Sequence, residues 1–190
     1  SSARPAGTDA AGTTGPIAAR QRRGCGEESR PSPLPRFAMS FRITGLPAAP
    51  FAHLFGLSDE ELARHGAMRY RGAGNPDRVS LRDTTDDETV LLVNHEHQPA
   101  DTPYRSRHAI FIREHAAEGF DAVDTVPEAL RKRLLSLRAF DAAGLMVDAD
   151  IVEGAAVEPL IERLLARPDT AYVHAHFARR GCYAALIRRA

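Results

Sequence analysis

The chain has 190 residues, 43% of them apolar, and its 25 basic and 25 acidic side chains cancel. That suffices for one full core and excludes a dedicated nucleic-acid-binding domain, since no basic stripe is interleaved with aromatic residues. The longest apolar runs are about five residues, far below the ~20 needed to span a bilayer, and two distant cysteines make no disulfide framework. A reducing cytoplasm is therefore the expected location, with no membrane and no nucleic-acid partner.

Residues 1–38 hold six arginines against three acids and almost no large apolar side chains, so they are predicted to be a disordered extension ahead of Met39. From there a single α+β domain is expected over 39–190, with an antiparallel or mixed sheet and about three short helices. A first strand reads over 41–44. Ser58 and Glu61 form a capping box that opens a short helix, which Gly66 closes. Strands follow at 68–71, 78–82 and 89–95, the last two joined by the acidic turn 83–88, and another at 108–113. Thr125, Pro127 and Glu128 combine a cap, a first-turn proline and a capping-box glutamate, so a helix is predicted to run to about Arg133. A hairpin spans 135–152. Val157, Leu160, Ile161, Leu164 and Leu165 trace the apolar face of a third helix, which Pro168 ends. A final hairpin pairs 172–177 with 182–187.

That last hairpin carries the densest chemistry. Alternation places Tyr172, His174 and His176 on one face and Val173, Ala175 and Phe177 on the other, with the apolar set expected to meet the core. A three-residue loop over 179–181 would oppose Ala178 to Cys182 and set the thiol beside the imidazoles. A four-residue loop would turn it toward the core, but glycine at the last loop position favours the first. Cys182, His176 and His174 are therefore candidate catalytic residues: a thiolate assisted by imidazole, or three ligands of a metal with an open fourth position. The plainer alternative is a half-exposed strand with two solvated histidines and an inert cysteine. The cofactor is undetermined: zinc is possible but not favoured.

A second pair, His95 and His97, closes the 89–95 strand, and four imidazoles from two strands would make a metal site. A strand running into a polar loop explains the pair more simply. Arg105, Arg107 and His108 are candidate ligands for a small anionic molecule through charge-assisted bonds, against the alternative of solvated loop arginines. Asp148 and Asp150 share a strand face suited to a divalent cation or simply to water. The run 172–180 is similar to the histidine-triad hydrolases, but Ala178 replaces the third alternating histidine.

Several stretches together resemble the bacterial domain-of-unknown-function family 1203: FRITGLP (41–47), RVSLRD (78–83), ETVLLVNHEHQPADTPYRSRHAIFIRE (88–114), LLSLRAFDAAGLMVDADIVEG (134–154) and AYVHAHFARRGCYAALI (171–187). Asp77 stands where the resemblance implies cysteine, and Phe177 where it implies asparagine. The resemblance carries no established activity. Two functions follow from the residues: a small-molecule-binding or enzymatic domain using the His/Cys group, or a non-catalytic interaction or accessory protein with structural histidines.

Overall fold

The computed structural model describes residues 39–190, so the expectation for 1–38 lies outside the described residues. In chain order the strands are β1 (Phe41–Thr44), β2 (Met68–Arg71), β3 (Thr89–Gln98), β4 (Ser106–Arg113), β5 (Asp121–Val123), β6 (Leu134–Phe140), β7 (Met146–Glu153), β8 (Tyr172–Phe177) and β9 (Cys182–Arg189). The helices are α1 (Asp59–Arg64), α2 (Glu128–Arg131) and α3 (Glu158–Ala166), with 3-10 turns at Ala49–Leu54 and Gly154–Ala156. Strand outweighs helix, and neighbouring strands pair antiparallel throughout. The expected sheet is divided in two: six strands in the order β5-β1-β9-β8-β6-β7, and three in the order β2-β3-β4.

Period-two alternation builds the larger core. Leu135, Leu137 and Ala139 on β6 and Val173, Ala175 and Phe177 on β8 share one face. The predicted helical stripe of Val157, Leu160, Ile161, Leu164 and Leu165 buries itself there. Arg167 turns extended at the end of α3, as a residue before proline must. On the smaller sheet Leu91, Val93, Ile110 and Ile112 share a face and pack with Phe51, Leu54 and Leu62. The capping box of α1 forms as predicted, Ser58 Oγ accepting from the Glu61 amide at 3.3 Å.

Several elements depart from expectation: β3 runs on to Gln98, and β5 and the 3-10 turn at Ala49–Leu54 have no predicted counterpart. The segment 78–82 is no strand, because the buried Asp77 carboxylate accepts from the amides of Val79 (3.2 Å), Ser80 (2.8 Å) and Arg113 (2.9 Å) and winds the chain into a turn. Leu81 completes that turn with φ of 53°. The second helix is two residues shorter than predicted, and Thr125 does not cap it. The Thr125 hydroxyl donates instead to the Val123 carbonyl at 3.0 Å.

Candidate functional site

The face of the large sheet turned away from α3 carries the imidazoles. Ser136 opposes His176, Arg138 opposes His174, and Tyr183 opposes His176 from the other side. The two imidazoles there do not meet water: His176 is 0% exposed and His174 5%. The expectation of solvated histidines is overturned, because the β3–β4 sheet covers them. His97 stacks on Tyr183, with 5.1 Å between ring centroids, and on His108 at 4.6 Å. It meets His176 edge-on at 5.1 Å and His174 at 5.6 Å. Both sequence pairs of histidines thus contribute to one layer. His95 sits at its edge, against Phe51. His97 lies in β3 rather than in a polar loop, since the strand runs on to Gln98.

Burial removes water from the imidazolium form, which fixes the charge of this layer. Desolvation, joined by the charge of Arg138, brings His174 down to about 4 and His176 to about 2. Desolvation and the neighbouring imidazoles bring His97 to about 3. The rings are therefore neutral at neutral pH, each with one bare nitrogen. His176 Nδ1 donates to the Gly181 carbonyl at 3.0 Å, because a carbonyl can only accept, and Nε2 is left as the lone pair. His97 Nε2 meets the Ser106 hydroxyl at 3.2 Å. Among the described residues, the fully buried ring nitrogens without a hydrogen-bond partner are His97 Nδ1, His108 Nδ1, His174 Nδ1 and His176 Nε2. One nitrogen from each of His97, His108 and His176 lies within 4.8 Å of the others, so these are the residues able to hold a metal ion among those described.

Cys182 faces elsewhere. The hairpin turn has four residues, 178–181, so Phe177 opposes Cys182 and the register pairing Ala178 with Cys182 is not formed. Gly181 closes the turn at φ of 71°, and its amide donates to the Phe177 carbonyl at 2.8 Å. The sulfur therefore shares the Phe177 face, opposite His176. Its partner is Arg78, whose Nη2 donates to Sγ at 3.1 Å. Arg78 is 1% exposed, donates from Nε to the Tyr183 carbonyl at 2.8 Å, and lies 4.7 Å over the Phe177 ring. Arg133 flanks the same ring at 5.0 Å. Desolvation lowers Arg78 to about 10, which still leaves it charged at neutral pH.

Cys182 and Arg78 open on a cleft of about 930 Å³, whose walls also present Lys132, Arg133, Arg179 and Arg180 against one carboxylate, Glu153. Arg133 is paired with Asp83 at 2.7 Å and Lys132 with Glu128. Arg179 and Arg180 have no ion-pair partner among the described residues.

The other candidates separate. Arg105 donates to Glu96 at 2.8 Å, and Arg107 lies exposed across from Glu96. Only His108 of that trio lines the cleft. Asp148 and Asp150 are bridged by Arg163 at 2.9 and 3.0 Å, which occupies the oxygens a cation would need. Arg78 escaped sequence reasoning because its partners Tyr183 and Cys182 are 105 and 104 residues distant. Arg138 escaped it because its significance rests on an alignment across β6 and β8.

The molecule is thus an antiparallel α+β protein with a neutral histidine layer between its sheets and a cationic cleft around one thiol. Residues 74–189 match the family described as "Protein of unknown function (DUF1203)", more than half of the chain, and the chain belongs to that family. No curated protein and no solved structure matches it. Among the described residues no helix is long and apolar enough to cross a membrane.

Proposed function

We propose that this protein binds a small anionic molecule, with carboxylate or phosphate chemistry, in the cleft beside Cys182, and that the thiol is the reactive group presented to it. The carrying observation is Arg78. A buried guanidinium normally pairs with a carboxylate, and here its side-chain partner is a sulfur facing a cleft of further cations. A cleft of one sign focuses field and concentrates anions. The reading replaces an imidazole-assisted thiol by one assisted by a guanidinium, since His174 and His176 lie on the other face of the strand pair.

Alkylation tests this directly. Iodoacetate and iodoacetamide deliver similar groups to sulfur but differ in charge. At Cys182, resolved from Cys25 by peptide mass spectrometry, the iodoacetate-to-iodoacetamide rate ratio is expected to exceed that of free cysteine by about tenfold or more, by field focusing. The double variant Arg179→Ser, Arg180→Ser should bring most of that excess down, and salt should do the same. A ratio equal to that of free cysteine would leave Cys182 as a packing residue and favour the accessory-protein alternative.

A further inference from the structure

We infer that His97, His108 and His176 form a binding site for one divalent first-row transition ion, with zinc the best fit. The inference is independent of whether the cleft takes an anion.

Three features carry it. The first is convergence: three imidazoles from β3, β4 and β8 each bring one nitrogen to within 4.8 Å of the other two. A tetrahedral zinc with bonds of ~2.0–2.1 Å spaces its nitrogens by about 3.4 Å, so binding draws the rings inward by about an ångström. His97 and His108 are stacked within 15° of parallel, so the half-buried His108 is the ring that tilts. The second is unmet bonding capacity. His176 is fully buried, yet its Nε2 has no partner, and His97 Nδ1 and His108 Nδ1 have none either. A buried lone pair without a donor costs free energy, and a cluster of them calls for an occupant. The third is orientation. Ligating histidines hold their second nitrogen on a carbonyl, hydroxyl or carboxylate, which fixes tautomer and ring angle. His176 does so with the Gly181 carbonyl and His97 with the Ser106 hydroxyl.

The donor set narrows the ion. Neutral imidazoles without carboxylate suit zinc, cobalt, nickel or copper and not magnesium or calcium. Three protein ligands leave a coordination position open, as in catalytic rather than structural zinc sites. Arg138 stands on β6 opposite His174, on the sheet face that carries His176. Its guanidinium has no hydrogen-bond or ion-pair partner among the described residues. A dication held by three neutral imidazoles takes water, hydroxide or the carboxylate of a bound molecule at its remaining position.

The test uses the full chain, stripped with a chelator and titrated with cobalt(II) as a spectroscopic substitute. The expected result is one cobalt per chain, with visible d–d bands of four- or five-coordinate geometry and no intense sulfur-to-cobalt charge-transfer band. His108→Ala should weaken binding by about a hundredfold or more, and Ser106→Ala by about tenfold, the range of outer-shell substitutions at metal sites. Zinc should displace cobalt in proportion. His108 and Ser106 are partly exposed, so both variants should fold, with circular dichroism as the check if His176→Ala does not. No cobalt retained at equimolar concentration, a sulfur charge-transfer band, or unchanged affinity in His108→Ala would each overturn the site.

Discussion

Burying His97, His174 and His176 between the sheets exchanges their solvation for ring packing, and acid acts against the exchange. Their native values lie near 3, 4 and 2, whereas an unfolded histidine titrates near ~6.5. Below that value the unfolded chain takes up protons the native layer refuses, so the unfolded state is favoured as pH falls. The stability contributed by these groups is thus complete above about pH 6.5 and is lost progressively toward pH 4 and below. Well into that window His174 and His176 each remove about 1.4 kcal/mol per pH unit. Urea unfolding of chelator-treated protein at pH 7.5, 6 and 5 should show this decline. A flat profile would mean the imidazoles are hydrated in solution.

Within the elements, α3 and the junction of α2 with β7 are both sensitive to change. Leu164 is fully buried on the stripe that covers the large sheet, so Leu164→Ala should cost about 2–5 kcal/mol in chemical denaturation. A loss under about half a kcal/mol would put the helix in solvent. Gly154 is constrained by proximity rather than by its backbone angle. A Cβ there would sit 1.9 Å from the Leu130 carbonyl oxygen and 2.8 Å from that of Arg133. Because the Gly154 amide also donates to the Arg133 carbonyl at 2.8 Å, the two segments cannot part without losing a bond. Gly154→Ala should therefore destabilise by at least the ~1–3 kcal/mol typical of overpacking, with the thermal midpoint falling accordingly. An unchanged midpoint would show that the turn relaxes freely.

At the scale of the whole molecule, the two sheets create what neither carries alone. The histidine layer exists because β3 and β4 lie on the β8–β9 face, and the thiol's surroundings exist because the 76–83 turn inserts Arg78 beneath Phe177. His176 and Cys182 stand on opposite faces of one hairpin, while His108 belongs to the layer and also lines the cleft. A single bulge between Ala175 and His176 decides which face takes the sulfur, since slipping the pairing by one residue reverses every side chain beyond it. That accounts for the failure of a loop-length argument at Cys182: glycine at position 181 is compatible with both loop lengths, and the cross-strand ladder chooses.

Much of the fold was legible in the residues themselves, because it rests on local periodicity. The capping box of Ser58 and Glu61, the stripe from Val157 to Leu165 and the alternation of 172–177 each specify their element with neighbours a few residues away. The sequence also placed both histidine pairs and the cysteine among the chemistry-bearing residues. It could not place them relative to one another. Whether an imidazole meets water or a second sheet, whether 78–82 forms a strand or winds a turn around Asp77, and which charge reaches a sulfur over 100 residues away depend on contacts made only when the chain closes. Desolvation and hydrogen-bond pairing act through space, so the tertiary structure alone decided that the histidines are neutral and buried while the thiol faces cations.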